Sequence, residues 1–360
     1  MHLFRLLSIA LVTVFVFSCG RNITHDNTIY FDDIRVPSFD GETIRLDNGE
    51  VLNLDCIGVI EIAIADGVIF VKTTEQNGAL KIFNLKTRKL LGELLSVGEG
   101  PGEFRRIPLL IESDVCSADS CTILSIPDFP RGVLHEISLR LEGDSVMSCD
   151  NEIDLPLLRD NVLYVRNFDD SRYLVNKLNP ENWSITYNII ERGNSVHNED
   201  FINLNSGSVD NPNWIGRILS LPVVSHSRKA IAIITPAINQ INVMSADKSF
   251  TSFTISPDGH LDSYREMIEN NWNPEQKGIY SSCHGFDDFF VVCSEGDDGK
   301  STLLTVYDWD GNITGKYIVP DTFMSFDIDV ENGDLYTFKL DDELIMKYSI
   351  PDFISKHKGL

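Results

Sequence analysis

Leu80-Lys-Ile-Phe-Asn84 is one of six short segments that decide the fold, because in each of them an apolar run ends on a short polar residue. Alternating apolar and polar side chains over a few residues are typical of a half-buried β-strand. The other five segments are 132–136 (GVLHE), 172–176 (RYLVN), 241–245 (INVMS), 304–308 (LTVYD) and 345–349 (IMKYS). The spacings between their final residues are 52, 40, 69, 63 and 41, with an average of 53. A period near ~50 residues suits the four-stranded blade of a β-propeller.

Turn dipeptides separate the strand segments along the whole chain. Asp-Gly occurs at 40–41, 66–67, 258–259, 298–299 and 310–311, and Asn-Gly occurs at 48–49, 77–78 and 332–333. These residues tolerate the positive φ that tight hairpin turns need. Together with the near absence of helical periodicity, they predict an all-β chain that folds as one six-bladed β-propeller domain over residues 28–355.

The ends and the centre of the repeat lead to three further predictions. The last repeat lacks a fourth strand, and Thr28 to Pro37 (TIYFDDIRVP) reads as a strand without a blade. Pairing the two would close the ring and hide an open sheet edge. The long central spacings contain a polar stretch, 192–213, which reads as an extended loop. They also contain 261–268 (LDSYREMI), whose apolar residues at i, i+3 and i+7 predict one short helical insertion.

The first nineteen residues predict export. Residues 6–17 are almost entirely apolar, and twelve helical residues rise ~18 Å, too short for a bilayer core of about 30 Å. That length is typical of the apolar region of a signal peptide, here 1–18. Val16-Phe17-Ser18-Cys19 resembles a bacterial lipobox, in which the cysteine is acylated. Cys19 is therefore the predicted lipid attachment site. Residues 19–27 form a polar tether, and the anchor is the only expected membrane contact.

Composition and charge exclude two classes of protein. The chain is 42% hydrophobic, too apolar for wholesale disorder. Its 54 acidic residues against 30 Lys and Arg give a formal net charge of −24. A polyanion of this size is repelled by phosphate backbones, so no nucleic-acid partner is expected.

Six cysteines follow Cys19, and an exported chain meets an oxidising compartment in which disulfides persist. Six thiols allow about 15 pairings, and the sequence does not choose among them. Two local pairs are candidates, Cys116 with Cys121 and Cys283 with Cys293, and free buried thiols are the alternative. No metal site is predicted, because no C-x-x-C or C-x-x-H spacing occurs.

Catalytic motifs are missing from the sequence. No G-x-S-x-G elbow occurs, and the calcium-like loop at 308–319 lacks its closing glutamate. No catalytic residue and no cofactor is therefore predicted. One alternative stays open, because His226 and His284 each follow a predicted innermost strand (221–225 and 279–283). Innermost strands of a propeller converge on one channel, where histidines of several blades can form a metal site.

Two segments resemble a known family. Residues 96–104 (SVGEGPGEF) resemble the G-x-G-P-x-E-F turn of TolB-like six-bladed β-propeller lipoproteins of Bacteroides-type bacteria. The closing stretch, 303–311 and 330–336, resembles the last two blades of that family. The resemblance implies the propeller fold and export, and it brings no catalytic residues with it.

These observations predict a lipid-anchored, exported β-propeller on a bacterial membrane, most simply the outer membrane, with a periplasmic or surface face. Its expected role is a binding or scaffold module for a protein or glycan partner. The rival hypothesis is a carbohydrate-active hydrolase or lyase that uses carboxylates in the propeller channel. Convergence of acidic residues or histidines at one channel mouth would distinguish the two.

Overall fold

The structure is a computed structural model that describes residues 28–29, 33–100, 102–118, 121–169, 171–181, 185–191, 197–203, 220–236, 239–245, 251–259 and 280–353. Its first elements are four two-residue strands: β1 (Thr28–Ile29), β2 (Ile34–Arg35), β3 (Ile44–Arg45) and β4 (Glu50–Val51). We call residues 28–51 the N-terminal belt.

Three blades follow the belt. Blade 1 contains β5 (Val59–Ala65), β6 (Val68–Thr73), β7 (Leu80–Asn84) and β8 (Leu90–Leu94). A linking segment contains β9 (Ser96–Val97), β10 (Glu103–Phe104) and the 3₁₀ helix η1 (Leu110–Glu112). Blade 2 contains β11 (Asp114–Ala118), β12 (Cys121–Asp128), β13 (Val133–Glu142) and β14 (Ser145–Asp154). After the 3₁₀ helix η2 (Pro156–Arg159), blade 3 contains β15 (Val162–Asp169), β16 (Arg172–Leu178), β17 (Ile185–Glu191) and β18 (His197–Asn203).

The remaining strands form three more blades. Blade 4 contains β19 (Leu221–Ser225), β20 (Ala230–Ile234), β21 (Ile241–Ser245) and β22 (Thr251–Ile255). Blade 5 contains β23 (Tyr280–Gly285), β24 (Phe289–Glu295), β25 (Thr302–Asp308) and β26 (Ile313–Val319). Blade 6 contains β27 (Ser325–Asp329), β28 (Asp334–Lys339) and β29 (Leu344–Ser349). The prediction of an all-β, six-bladed propeller is confirmed.

Within each blade, successive strands are antiparallel neighbours. In the hairpin of β5 and β6, Ala65 lies opposite Val68, so only Asp66 and Gly67 form the loop. Their φ values are 50° and 72°. Both central residues of a two-residue primed turn need positive φ, which Asp tolerates and Gly adopts without strain. The Asp-Gly signal therefore marks a real hairpin here.

Six apolar clusters fill the six interfaces between neighbouring blades, and we name each by the two blades that it joins. Cluster 1/2 includes Phe70 and Leu124, and cluster 6/1 includes Leu52 and Phe338. The other four clusters occupy the interfaces 2/3, 3/4, 4/5 and 5/6. Because side chains of a strand alternate between the two faces of its sheet, each blade packs against both neighbours at once.

Blade 6 is completed by β4, the last strand of the belt. Glu50 and Val51 pair antiparallel with Lys347 and Met346 of β29, and the Leu52 N–H donates to the carbonyl of Ile345 at 2.8 Å. The blade thus combines three C-terminal strands with one N-terminal strand, which closes the ring.

The prediction that Thr28–Pro37 closes the ring is wrong. β1 pairs in parallel with β18 of blade 3, and β2 pairs in parallel with β22 of blade 4. Ile34, in the middle of that segment, is 36% exposed. β4 takes the closing position because it immediately precedes blade 1, which is the neighbour of blade 6. The belt therefore adds one strand each to blades 3, 4, 5 and 6.

The predicted central loop is partly strand, since β18 (His197–Asn203) lies within 192–213. The predicted helical insertion at 261–268 lies outside the described residues. Among the residues that the structure describes, no helix is long and apolar enough to cross a membrane.

Candidate functional site

The innermost strand of every blade lines a central channel. These strands are β5, β11, β15, β19, β23 and β27, and each contacts the innermost strands on both sides. Their carboxyl ends open into a cavity of about 820 Å³. We call this opening the carboxyl mouth. Side chains at the ends of these strands and in the turns after them line this cavity.

Acidic residues dominate the carboxyl mouth. Within the described part of the chain, seven acidic residues and no lysine or arginine line the cavity: Asp66, Asp169, Asp287, Asp288, Asp327, Asp329 and Glu331. Two of the carboxylates are paired with arginines next to the lining, Asp169 with Arg172 at 2.7 Å and Asp288 with Arg228 at 3.2 Å. Because the other lining carboxylates outnumber these two arginines, the mouth is a concave, negatively charged surface.

Asp327 is the most buried carboxylate of the mouth. Its Oδ2 accepts a hydrogen bond from the Ile64 N–H at 2.6 Å, and its Oδ1 accepts one from the Ile328 N–H at 2.7 Å. His284 Nε2 lies 3.6 Å from Oδ1. Burial raises the pKa of Asp327, although His284 and the two amides act in the opposite direction. This carboxyl group joins blade 6 to blade 1 at the channel wall.

A second group of polar side chains lies on the opposite wall of the channel. Asp114 and Cys116, both on β11, and His226, in the turn after β19, bring one ligand-type atom each to within 4.8 Å of one another. His226 Nε2 is 3.8 Å from Asp114 Oδ2. From blade 3, Asn167 donates its backbone N–H to Asp114 Oδ2 at 2.8 Å and its Nδ2 to Cys116 Sγ at 3.6 Å. Three blades thus meet at this group.

The amino-terminal end of the channel contains a smaller cavity of about 140 Å³. There η1 is held by Glu61, which accepts the Leu110 N–H at 2.6 Å, and by Arg166, which donates to the carbonyls of Ile111 and Ser113. Burial raises the pKa of Glu61. His226 and His284 line both cavities and therefore lie midway along the channel.

The cysteine predictions have different outcomes in the structure. None of the cysteines in the described residues forms a disulfide. Cys283 lies opposite Val292 and Cys293 lies opposite Ser282, so the two thiols point to opposite faces of blade 5. Burial raises the pKa of Cys283 to about 12 and that of Cys293 further, which keeps both thiols protonated. The register does not bring this pair together.

Cys116 and Cys121 lie on neighbouring strands of blade 2, opposite Ile123 and Ala118. Their disulfide stays a prediction. The lipid site, Cys19, lies outside the described residues.

Sequence reasoning found some of the channel residues and missed others. His226 and His284 were placed next to innermost strands, and both line the channel as that placement requires. The grouping of His226 with Asp114 and Cys116 was missed. Asp114-Val-Cys116 is a local signal, since residues two apart on a strand share a face. Its histidine partner lies more than a hundred residues further along the chain, so no spacing pattern could reveal it.

Comparisons with known proteins support the fold. No protein-family model and no curated protein matches the sequence. A solved structure from the duf4221 family of Bacteroides vulgatus aligns with a TM-score of 0.50 at 9% identity, covering 84% of this chain and 96% of that chain. At this identity the likeness shows the β-propeller fold alone.

Two lyases are also structurally similar. A streptogramin B lyase aligns with a TM-score of 0.42 at 11% identity, covering 83% of this chain and 96% of that one. A catalytically inactive virginiamycin B lyase from Staphylococcus aureus, solved with quinupristin, aligns with a TM-score of 0.43 at 13% identity, covering 84% and 89%. The similarity is too low to carry an argument about activity.

Proposed function

We propose that this six-bladed β-propeller is an exported, lipid-anchored binding module that takes a positively charged protein segment at its carboxyl mouth. The observation that carries the proposal is the lining of the 820 Å³ cavity, where the described residues include seven carboxylates and no lysine or arginine. The charge of the whole chain acts in the same direction, since its formal net charge is −24.

The shape of the mouth strengthens the effect of its charge. A cleft lined by charges of one sign, with low-dielectric walls, concentrates the field and raises the local concentration of oppositely charged ligands. Phe286 adds an aromatic wall, stacked on Phe289 with ring centroids 4.6 Å apart. Lysine and arginine side chains can bind such a surface in two ways at once. The charged group pairs with the carboxylates, and the apolar stem or the guanidinium plane packs on the aromatic ring.

The charge also favours one of the two partner classes expected from the sequence. A protein segment rich in Lys or Arg gains Coulomb energy from the mouth, whereas a neutral glycan gains only hydrogen bonds to the carboxylates. We therefore place the protein partner first.

Export and anchoring form the second part of the proposal. The lipobox-like Val16-Phe17-Ser18-Cys19 and the resemblance to TolB-like propeller lipoproteins support acylation at Cys19. A polyanion is also repelled by the anionic surface of a membrane, so the lipid is the only expected membrane contact.

A carbohydrate-active hydrolase or lyase is the alternative, and the pair of Asp327 and His284 favours it. A buried carboxyl with a raised pKa next to an imidazole is a candidate acid–base pair. Both oxygens of Asp327, however, accept backbone N–H groups that join two blades. The binding function therefore takes precedence, because it needs only the charge and shape of the mouth.

A peptide titration tests the proposed function. The triple variant Asp66→Asn, Asp287→Asn, Glu331→Gln removes three exposed charges at the mouth. A fluorescent hexalysine peptide should bind the wild type and bind this variant about tenfold more weakly, at roughly 0.5 kcal/mol per charge. Fluorescence anisotropy measures both affinities.

The matched control, Glu42→Gln, Glu142→Gln, Asp341→Asn, removes three exposed charges that do not line the mouth. It should lower the affinity for hexalysine less than threefold. Equal losses in the two triple variants would show that net charge alone binds the peptide and would overturn the mouth as the site. Binding of a neutral oligosaccharide, with no binding of hexalysine, would favour the glycan partner instead.

A further inference from the structure

We infer that Asp114, Cys116 and His226 form a zinc site in the channel wall, with one coordination position open to the cavity. The inference does not depend on the proposed partner, because the site can bind zinc whether or not a basic peptide binds the mouth. It follows from the ligand chemistry of the three side chains, their separation, and the hydrogen bonds that orient them.

The separations fit one metal ion. Zinc binds carboxylate oxygen and imidazole nitrogen at ~2.0–2.2 Å and thiolate sulfur at ~2.3 Å, so tetrahedral ligand atoms lie roughly 3.3–3.8 Å apart. Asp114 Oδ2 and His226 Nε2 are 3.8 Å apart, and all three atoms lie within 4.8 Å of one another.

Local structure explains why the three side chains meet. Asp114 and Cys116 are two residues apart on β11, so their side chains share the face that looks into the channel. β19 contacts β15 and β15 contacts β11, which brings the turn after β19 close enough for His226 to reach Asp114. The ring closure therefore assembles ligands that are distant in sequence.

Asn167 orients two of the ligands from blade 3. Its backbone N–H donates to Asp114 Oδ2, and its side-chain Nδ2 donates to Cys116 Sγ. The same Nδ2 also donates to Ser125 Oγ at 2.9 Å, which fixes the orientation of the amide. Hydrogen bonds of this kind to ligand atoms set ligand geometry and raise metal affinity in known sites.

The set of donors selects the metal and the type of site. A thiolate and an imidazole favour zinc over magnesium or calcium, which prefer oxygen ligands only. Three protein ligands leave a fourth position for water or an incoming group, which is typical of zinc sites that act on a ligand. Cys116 and His226 line the 820 Å³ cavity, so that position faces the carboxyl mouth. The surrounding carboxylates attract a divalent cation.

Zinc binding and the predicted disulfide between Cys116 and Cys121 exclude each other, because both consume the Cys116 thiol. Reduced protein should therefore bind zinc. Oxidation of Cys116 and Cys121 by added oxidised glutathione, which takes up the two electrons and two protons as two glutathione thiols, should release the metal. Loss of zinc on oxidation is therefore a second test, because a site that does not use Cys116 would keep its zinc.

Cobalt spectroscopy tests the site. Co²⁺ replaces zinc at thiolate sites and gives a near-ultraviolet charge-transfer band that requires a sulfur ligand. Reduced, metal-free protein should bind one equivalent of Co²⁺ with this band, and Zn²⁺ should displace it. Cys116→Ser should abolish the band, and His226→Ala should weaken Co²⁺ binding about tenfold or more. Unchanged melting temperatures in the presence of EDTA establish that these variants fold.

Two control variants should leave the band intact. Cys121→Ser keeps Cys116 and removes the competing disulfide. Asp150→Asn alters a different group, in which His135 Nδ1 is 2.8 Å from Asp150 and Glu152 lies close by. A band that survives Cys116→Ser, or no band in the reduced wild type, would overturn the site. Loss of Co²⁺ binding in Asp150→Asn with full binding in His226→Ala would place the metal at the His135 group and overturn it as well.

Discussion

Asp327 shows how one residue can serve the ring and the channel together. Its two oxygens accept amide hydrogen bonds from blade 1 and from its own strand, and the side chain is only 3% exposed. Buried donors that lose their acceptor cost far more than the net gain of an ordinary hydrogen bond. The carboxyl group is therefore part of the interface between blades 6 and 1, at the place where the ring closes.

Asp327→Ala should destabilise the protein by about 1–3 kcal/mol, because it leaves the amides of Ile64 and Ile328 without their acceptor. Urea denaturation followed by circular dichroism measures the loss. Asp341→Ala, at an exposed position, is the control and should change stability by less than about 0.5 kcal/mol. Equal effects of the two substitutions would contradict the structural role of Asp327.

The effect of Asp327→Ala should also depend on pH. Burial raises the pKa of Asp327 above its usual value of 3.8, so the folded protein favours the neutral carboxyl. Its contribution to stability is fully present below the unfolded-state pKa and is lost as the pH rises through the folded-state pKa. The difference in stability between wild type and Asp327→Ala should thus be larger on the acid side of that window. A difference that is constant or grows with pH would show that the pKa is not raised.

At the scale of elements, the sequence predicts strand type well and strand position less well. Five of the six diagnostic segments are third strands of their blades, but 172–176 lies in β16, the second strand of blade 3. The third strand there is β17, in which Asn188 ends the matching run Ile-Thr-Tyr-Asn. Measured to Asn188, the spacings of 40 and 69 become 52 and 57. Middle strands are apolar on both faces, so neighbours within one blade look alike in sequence.

The closing strand was misplaced for a related reason. Apolar character singled out Thr28–Pro37, whereas the strand that closes the ring is Glu50–Val51, with only two residues and little hydrophobic signal. Its position is set by proximity to blade 1 and by backbone hydrogen bonds, neither of which a hydropathy pattern records.

Two alanine substitutions compare Leu52, which directly follows the closing strand β4, with Ile34 of β2. Leu52→Ala should cost about 2–5 kcal/mol, because Leu52 is 4% exposed and packs in cluster 6/1. Ile34→Ala should cost less than about 1 kcal/mol, because Ile34 is 36% exposed on β2. Chemical denaturation measures both values. A larger loss of stability for Ile34→Ala than for Leu52→Ala would contradict closure by β4 and would favour Thr28–Pro37 as the closing segment.

At the scale of the whole molecule, the sequence repeat and the six interfaces between blades both follow from the ring of six blades. The period near 50 residues corresponds to the length of one blade. Each blade has two apolar faces and therefore packs against two neighbours. Contact between the first and last blades then closes the ring. The channel contents were less predictable. Carboxylates are common in this chain, and the sequence alone does not tell which of them follow an innermost strand and which decorate the outer surface.

The proposed lipid anchor is also tested at the scale of the whole molecule. Cys19→Ala should move the protein from the membrane fraction to the aqueous fraction, because it removes the only residue proposed to hold acyl chains. Ultracentrifugation of cell envelopes followed by immunoblotting measures the distribution, with Cys149→Ala, an exposed cysteine of blade 2, as the control. Retention of Cys19→Ala in the membrane fraction after a high-salt wash would contradict lipid anchoring.

The belt determines how the ring responds to mechanical load. A force that pulls on the chain ahead of residue 28 reaches β1 on blade 3 first, then β2 and β3, and only then β4. Each of these strands has two ladder residues, so only a few backbone hydrogen bonds join it to its blade. The last to yield is the strand that completes blade 6. Tension at the N-terminal side of the belt therefore acts on the outer edges of blades 3 to 6 before it acts on the innermost strands.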